Sequence, residues 1–180
     1  MHMSQTKKIT LSAMLVALGT VFMLIGALIQ ELDLTVCAMA SLMVVFTFIE
    51  IGSYYPWLVW ICTSLCTALV CNANPLLSWE YFLIFGIYPL IKAYIEKLPR
   101  WSWLIVKLVY INAIIWGLVA ICELVFKSIF PFFEGIDSEI MFVVLYVLMN
   151  VAFIAFDLFI TVMVRFYFEK LRPRFKKFLK

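Results

Sequence analysis

The chain has 180 residues, 66% of them hydrophobic and 14% charged, with a mean hydropathy of +1.08. Soluble domains carry roughly 45–50% apolar and about 25% charged residues, so the composition excludes an ordinary water-soluble fold and gives an integral membrane protein. The formal charge of +3 is small, and where the charges fall matters more than their sum.

A helix crossing a hydrocarbon layer about 30 Å thick needs about 20 apolar residues. In chain order six stretches qualify: 9–29, 34–51, 55–71, 79–95, 101–126 and 140–165. Backbone groups cannot stay unpaired in lipid, so each is expected to be helical. The first follows Lys7-Lys8 as a signal peptide would. Its apolar run exceeds the roughly 7–15 residues of a signal core and no small-x-small cleavage site ends it, so it reads as a spanning helix. The links at 30–33, 52–54, 72–78 and 96–100 are short, and only 127–139, with Pro131 and Gly135, has room for a loop. Short links make neighbours antiparallel. The expected fold is all-α, a single domain over 1–180 forming a compact bundle of six transmembrane helices, with a basic tail at 166–180.

Lys and Arg set the orientation. In a six-span arrangement every one of them except Lys127 falls on one side, while Glu31, Asp33, Glu80, Glu123, Glu134, Asp137 and Glu139 collect on the other. Both termini are expected in the cytoplasm. The tail then serves as an anchor on anionic headgroups, at about 1 kcal/mol per basic residue; its second reading is a docking strip for a cytoplasmic partner.

Several ions lie inside the spans. Lys92 and Lys107 flank the turn at Pro99 at similar distances, roughly 10–12 Å deep at a rise of about 1.5 Å per residue. Asp157 lies eight residues before Arg165, and Glu50 closes the second span on the same side. Isolated charges at such depth are costly and are expected to pair. The expectation is a balanced cluster of Glu50, Lys92, Lys107 and Asp157, read either as a structural lock or as a proton or anion relay. Lys92 and Glu96 also have the spacing to pair across one turn. Pro89 is expected to kink the fourth span, freeing carbonyls for a ligand or shaping packing.

On the outer side Asn72 and Asn74 precede Pro75, and Trp79, Glu80 and Tyr81 open the fourth span. Asn112 and Trp116 stand one turn apart in the fifth span, as do Tyr146 and Asn150 in the sixth. Amides that hydrogen-bond and indoles that stack suit a small aromatic or heterocyclic solute. The candidate solute residues are therefore Asn74, Trp79, Glu80, Asn112, Trp116 and Asn150. Interhelical asparagine bonds and the interfacial aromatic belt are the competing readings.

Cys62, Cys66 and Cys71 sit in one apolar run, where cysteine behaves as a small hydrophobe. No G-x-x-x-x-G-K-[ST] or H-E-x-x-H occurs, so neither a P-loop nor a zinc-protease site is expected. The basic residues form a membrane-side band without a nucleic-acid motif. No metal, cofactor or nucleic acid is expected.

The first span carries Ala13-x-x-x-Ala17, with Ser12, Gly19 and Gly26 seven apart, and small residues let helices approach closely. With six short-looped spans and cytoplasmic termini, this pattern resembles the S components of energy-coupling-factor (ECF) transporters. The resemblance implies a non-enzymatic subunit of a bacterial cytoplasmic membrane that captures a vitamin or related micronutrient from outside. It implies as partners a transmembrane coupling subunit and two ATPases on other chains. Ala13 and Ala17 would be the docking surface, and the outer polar residues would line the pocket. The chain is also similar in layout to the small six-span rod-shape proteins of bacteria, which implies a non-catalytic scaffold. A third reading uses the buried charges directly, in a proton-coupled carrier or lipid-modifying enzyme.

Overall fold

Ser4 begins the first helix: its Oγ accepts the Lys7 N–H at 3.4 Å, supplying a partner for one of the donors a helix N-terminus leaves open. The structure, a computed structural model, describes residues 4–70, 75–121 and 139–172. Helix α1 is Gln5–Leu28, and a 3-10 turn, Gln30–Leu32, leads into α2, Asp33–Glu50. Then come α3, Tyr55–Val70, α4, Pro75–Glu80, a π-helical turn, Tyr81–Phe85, and α5, Tyr88–Ile95. Helix α6, Arg100–Ile121, and α7, Glu139–Phe166, follow, with a second π-helical turn at Tyr167–Leu171. Among the described residues every regular element is helical.

Helix α1, helix α2 and the stretch Val143–Lys170 are long and apolar enough to cross a membrane. Helix α3 and Trp101–Gly117 within α6 are apolar but shorter, and the fourth expected span is broken into α4, the π turn and α5. Asn72, Asn74, the end of the fifth expected span, most of the link at 127–139 and the tail beyond 172 lie outside the described residues.

The chain divides into two compact units, Met1–Leu98 and Pro99–Lys180. In the first, α1, α2 and α3 pack mutually, and α2 also meets the π turn and α5. The face that α1 buries is Ser12, Gly19, Met23 and Gly26, the seven-residue small stripe of the sequence plus one flexible thioether. A Cβ on Gly19 would stand 3.1 Å from Thr63 Cγ2, so α3 approaches α1 where a side chain would hold it off. Ala13 and Ala17 lie on the opposite, exposed face, alongside Met14, Leu18, Val21 and Ile25.

The α2–α3 link reverses the chain through consecutive left-handed residues, Gly52 at φ 64° and Ser53 at φ 58°. Glycine takes this region without strain, and serine, with its small side chain, takes it at modest cost. The first unit is rich in buried hydroxyls that close onto their own helices. Ser41 Oγ donates to Ala38 O at 2.7 Å, Thr47 Oγ1 to Met43 O at 2.8 Å, Ser64 Oγ to Trp60 O at 2.8 Å and Thr67 Oγ1 to Thr63 O at 2.7 Å. An apolar surrounding offers no water, so back-bonding to a carbonyl in the preceding turn is how these side chains stay satisfied.

The second unit is the pair α6 and α7. Ile111, Ile115, Phe153, Phe156 and Ile160 are buried, and Tyr110 lies 6.4 Å from Phe153 between ring centroids. Large apolar side chains from Val143 to Val162 stay exposed along α7, as a lipid-facing helix requires.

Candidate functional site

The break in the fourth span builds the most distinctive surface of the first unit. Gly86 N–H donates to Tyr81 O at 2.7 Å, five residues back, where an α-helix would return it to Phe82 O. Pro89, lacking an N–H, falls in the first turn of α5, where no intrahelical donor is needed. The sequence leads one to expect a kink at Pro89; the discontinuity is taken up before it, by the π turn. Trp60 Nε1 donates to Phe82 O at 3.2 Å, and the two rings stack with centroids 5.0 Å apart and planes 13° apart. Gly86 makes this possible, because a Cβ there would sit 2.6 Å from Trp60 Cδ1. Trp79 meets the Phe82 ring edge-on at 6.3 Å.

Against this aromatic wall lies a groove of about 360 Å³, lined by Ile61, Ser64, Leu65, Ala68, Ser78, Trp79 and Phe82. That volume is at the lower end of small-molecule sites, roughly 300–1,000 Å³. Its rim residues Ile61, Leu65 and Trp79 are exposed. Among the described residues no charged side chain lines it. Ser64 Oγ spends its proton on Trp60 O. Ser78, 9% exposed, holds its Oγ buried with no hydrogen-bond partner.

Of the described residues expected to hold a solute, Trp79 lines this groove. Glu80 follows it, half-buried, at the end of α4. Asn112 and Asn150 belong to the second unit and bond to each other across α6 and α7. Asn112 Nδ2 donates to Asn150 Oδ1 at 3.4 Å and to Leu108 O at 2.8 Å. Asn150 Nδ2 donates to Tyr146 O at 3.0 Å, and the Tyr146 hydroxyl donates to Asn112 Oδ1. Trp116, one turn beyond Asn112, is exposed. Asn74 lies outside the described residues.

The same two helices carry an ion pair. Lys107 Nζ donates to both oxygens of Asp157 at 2.9 and 2.8 Å, with the lysine side chain 11% and the aspartate 17% exposed. The Trp103 ring centroid lies 5.9 Å from the same ammonium, within reach of a cation–π attraction. In the first unit Lys92 Nζ stands 3.7 Å from Glu96 Oε1, one turn along, and Glu50 is half-buried at the end of α2. Of the ions expected in one cluster, Lys107 pairs with Asp157, and Lys92 meets Glu96 on its own helix. Cys37 donates to Met23 Sδ at 3.9 Å in the core of the first unit.

Sequence reasoning missed Ser64, Ala68, Ser78 and Phe82. Their signal is the alternation of large and small residues along one α3 stripe, Ile61, Ser64, Leu65 and Ala68, facing Ser78 and Phe82 at helical spacing. In a uniformly apolar run that alternation is faint. Compared with family models, with curated proteins and with solved structures, the chain matches none of them.

Proposed function

We propose that the chain is a membrane-embedded, non-enzymatic solute-capture subunit, resembling an ECF S component, that takes up a small micronutrient-like molecule and works through partner chains. In this reading it is a six-span bundle of a bacterial cell membrane with both termini in the cytoplasm. The positive-inside bias then puts the C-terminal half of α3 and the start of α4 toward the outer leaflet. The observation that carries the reading is the groove there, aromatic on one wall and supplied with serine hydroxyls. Ala13 and Ala17, exposed on α1, are the surface offered to a transmembrane coupling subunit, and ATPases on other chains supply the energy.

The test is native mass spectrometry of the protein released in mild detergent from its own membrane. The expected result is a bound small solute together with partner subunits, the partners being lost on Ala13→Leu/Ala17→Leu. A protein that carries neither solute nor partner overturns the proposal.

One set of observations favours a second reading, a scaffold. The Asn112–Tyr146–Asn150 and Lys107–Asp157 contacts fix one helix against another and occupy the groups that a carrier would use. Partners without a solute would select the scaffold.

A further inference from the structure

The lining of the groove restricts what it takes. Ile61, Leu65, Ala68, Trp79 and Phe82 offer apolar and aromatic surface, and among the described residues the polar side-chain groups are the Ser64 and Ser78 hydroxyls and the Trp79 indole N–H. An ionised ligand would shed its water here with no counter-charge among the described lining residues to replace it, which is strongly unfavourable. The polar functions are also specific in sense. Ser64 has given its proton to Trp60 O and retains only acceptor capacity, whereas Ser78 holds a hydroxyl with neither donor nor acceptor engaged. A buried hydroxyl left unmet costs about 1–3 kcal/mol; a rotation about its side-chain bond lets a guest meet it. The mouth has a direction too. Leu58, Ile61, Leu65 and Leu69 are exposed in one stripe along α3, and Ile61, Leu65 and Ala68 of the groove continue that stripe. On a spanning helix such a stripe meets acyl chains.

We propose that the groove binds an uncharged, ring-bearing lipophile with a single hydroxyl, which enters from the hydrocarbon side and bonds to Ser78 through that hydroxyl. Trp79 and Phe82 hold the ring, the favourable arrangement for a flat apolar guest being offset or edge-on contact. Ser78 then sets specificity: it distinguishes the alcohol from the bare hydrocarbon. The inference rests on the capture reading and names the class of its solute.

The experiment is equilibrium binding of radiolabelled naphthalenemethanol, naphthalene and naphthoate to the full chain in phosphatidylcholine nanodiscs, with empty discs as the partition baseline. The expected result is saturable naphthalenemethanol binding at one site per chain, naphthalene about tenfold weaker, and no saturable naphthoate. Ser78→Ala should weaken naphthalenemethanol by about tenfold, the worth of one hydrogen bond, and leave naphthalene unchanged. Ala68→Phe, on the exposed stripe and filling the groove, should remove both. Naphthoate binding as tightly as the alcohol, uptake no greater than in empty discs, or an equal loss of alcohol and hydrocarbon in Ser78→Ala would each overturn the inference. A native solute kept by Ala68→Phe protein would also overturn it while leaving the capture reading intact. Absence of any solute or partner from the wild-type preparation defeats the capture reading instead.

Discussion

The two units of the chain solve the same problem in opposite ways. In the first, polar side chains are numerous but small, and most hydroxyls turn back to a carbonyl of their own helix. Such residues leave helix surfaces smooth and allow Gly19 to meet Thr63 closely. In the second, among the described residues, an ion pair and an amide–phenol cluster bridge α6 and α7. Close packing of small residues holds helices together by shape, whereas paired charges and amides hold them by directed contacts. The first arrangement leaves a surface that a guest can share; the second leaves its polar groups engaged.

Asp157→Ala should break this contrast most severely. It takes the carboxylate from a buried ammonium and should lower stability by about 3–5 kcal/mol, measured by unfolding in mixed detergent micelles. The double variant Lys107→Met/Asp157→Leu should recover most of that loss, because neither member of the pair is then left buried without its partner. Next in size is Gly86→Ala, which puts a Cβ 2.6 Å from Trp60 Cδ1 and 2.9 Å from Tyr81 O. Overpacking of this kind costs about 1–3 kcal/mol, and Trp60→Leu in the same background should relieve part of it, read as a partial return of the thermal transition. Asn112→Ala removes the acceptor for Tyr146 and the partner of Asn150, and should cost about 1–2 kcal/mol by the same unfolding assay. The smallest effect belongs to Glu96→Gln. Its side chain is 38% exposed and sits one turn from Lys92, so the change should be no more than about 0.5 kcal/mol.

Much of this was legible in the sequence. Apolar run lengths located the helices, because a membrane imposes a length that composition reveals. The seven-residue spacing of Ser12, Gly19 and Gly26 marked the face of α1 that packs inward. Lys107 and Asp157 were placed at one depth as two members of an expected four-ion cluster, and these two meet each other. Depth is a coarse coordinate, however. It joined Glu50, Lys92, Lys107 and Asp157 in one expected cluster, whereas the contacts resolve partner by partner: Lys107 with Asp157, and Lys92 with Glu96 one turn along, a pairing that helical spacing alone had offered. It left Asn112 and Asn150 open to a solute or to an interhelical bond, and across α6 and α7 they bond to each other. The groove was less visible still. It depends on a π turn before Pro89 and on Trp60 reaching Phe82 O, neither of which has a periodicity signature in a run where nearly every residue is apolar.

The central claim is that a guest sits in the α3–α4 groove and not at the amides between α6 and α7. Native mass spectrometry of two folded variants, Ala68→Phe and Asn112→Ala, separates the sites directly. The account predicts that the solute mass disappears from Ala68→Phe and persists in Asn112→Ala; persistence in the first with loss from the second would contradict it.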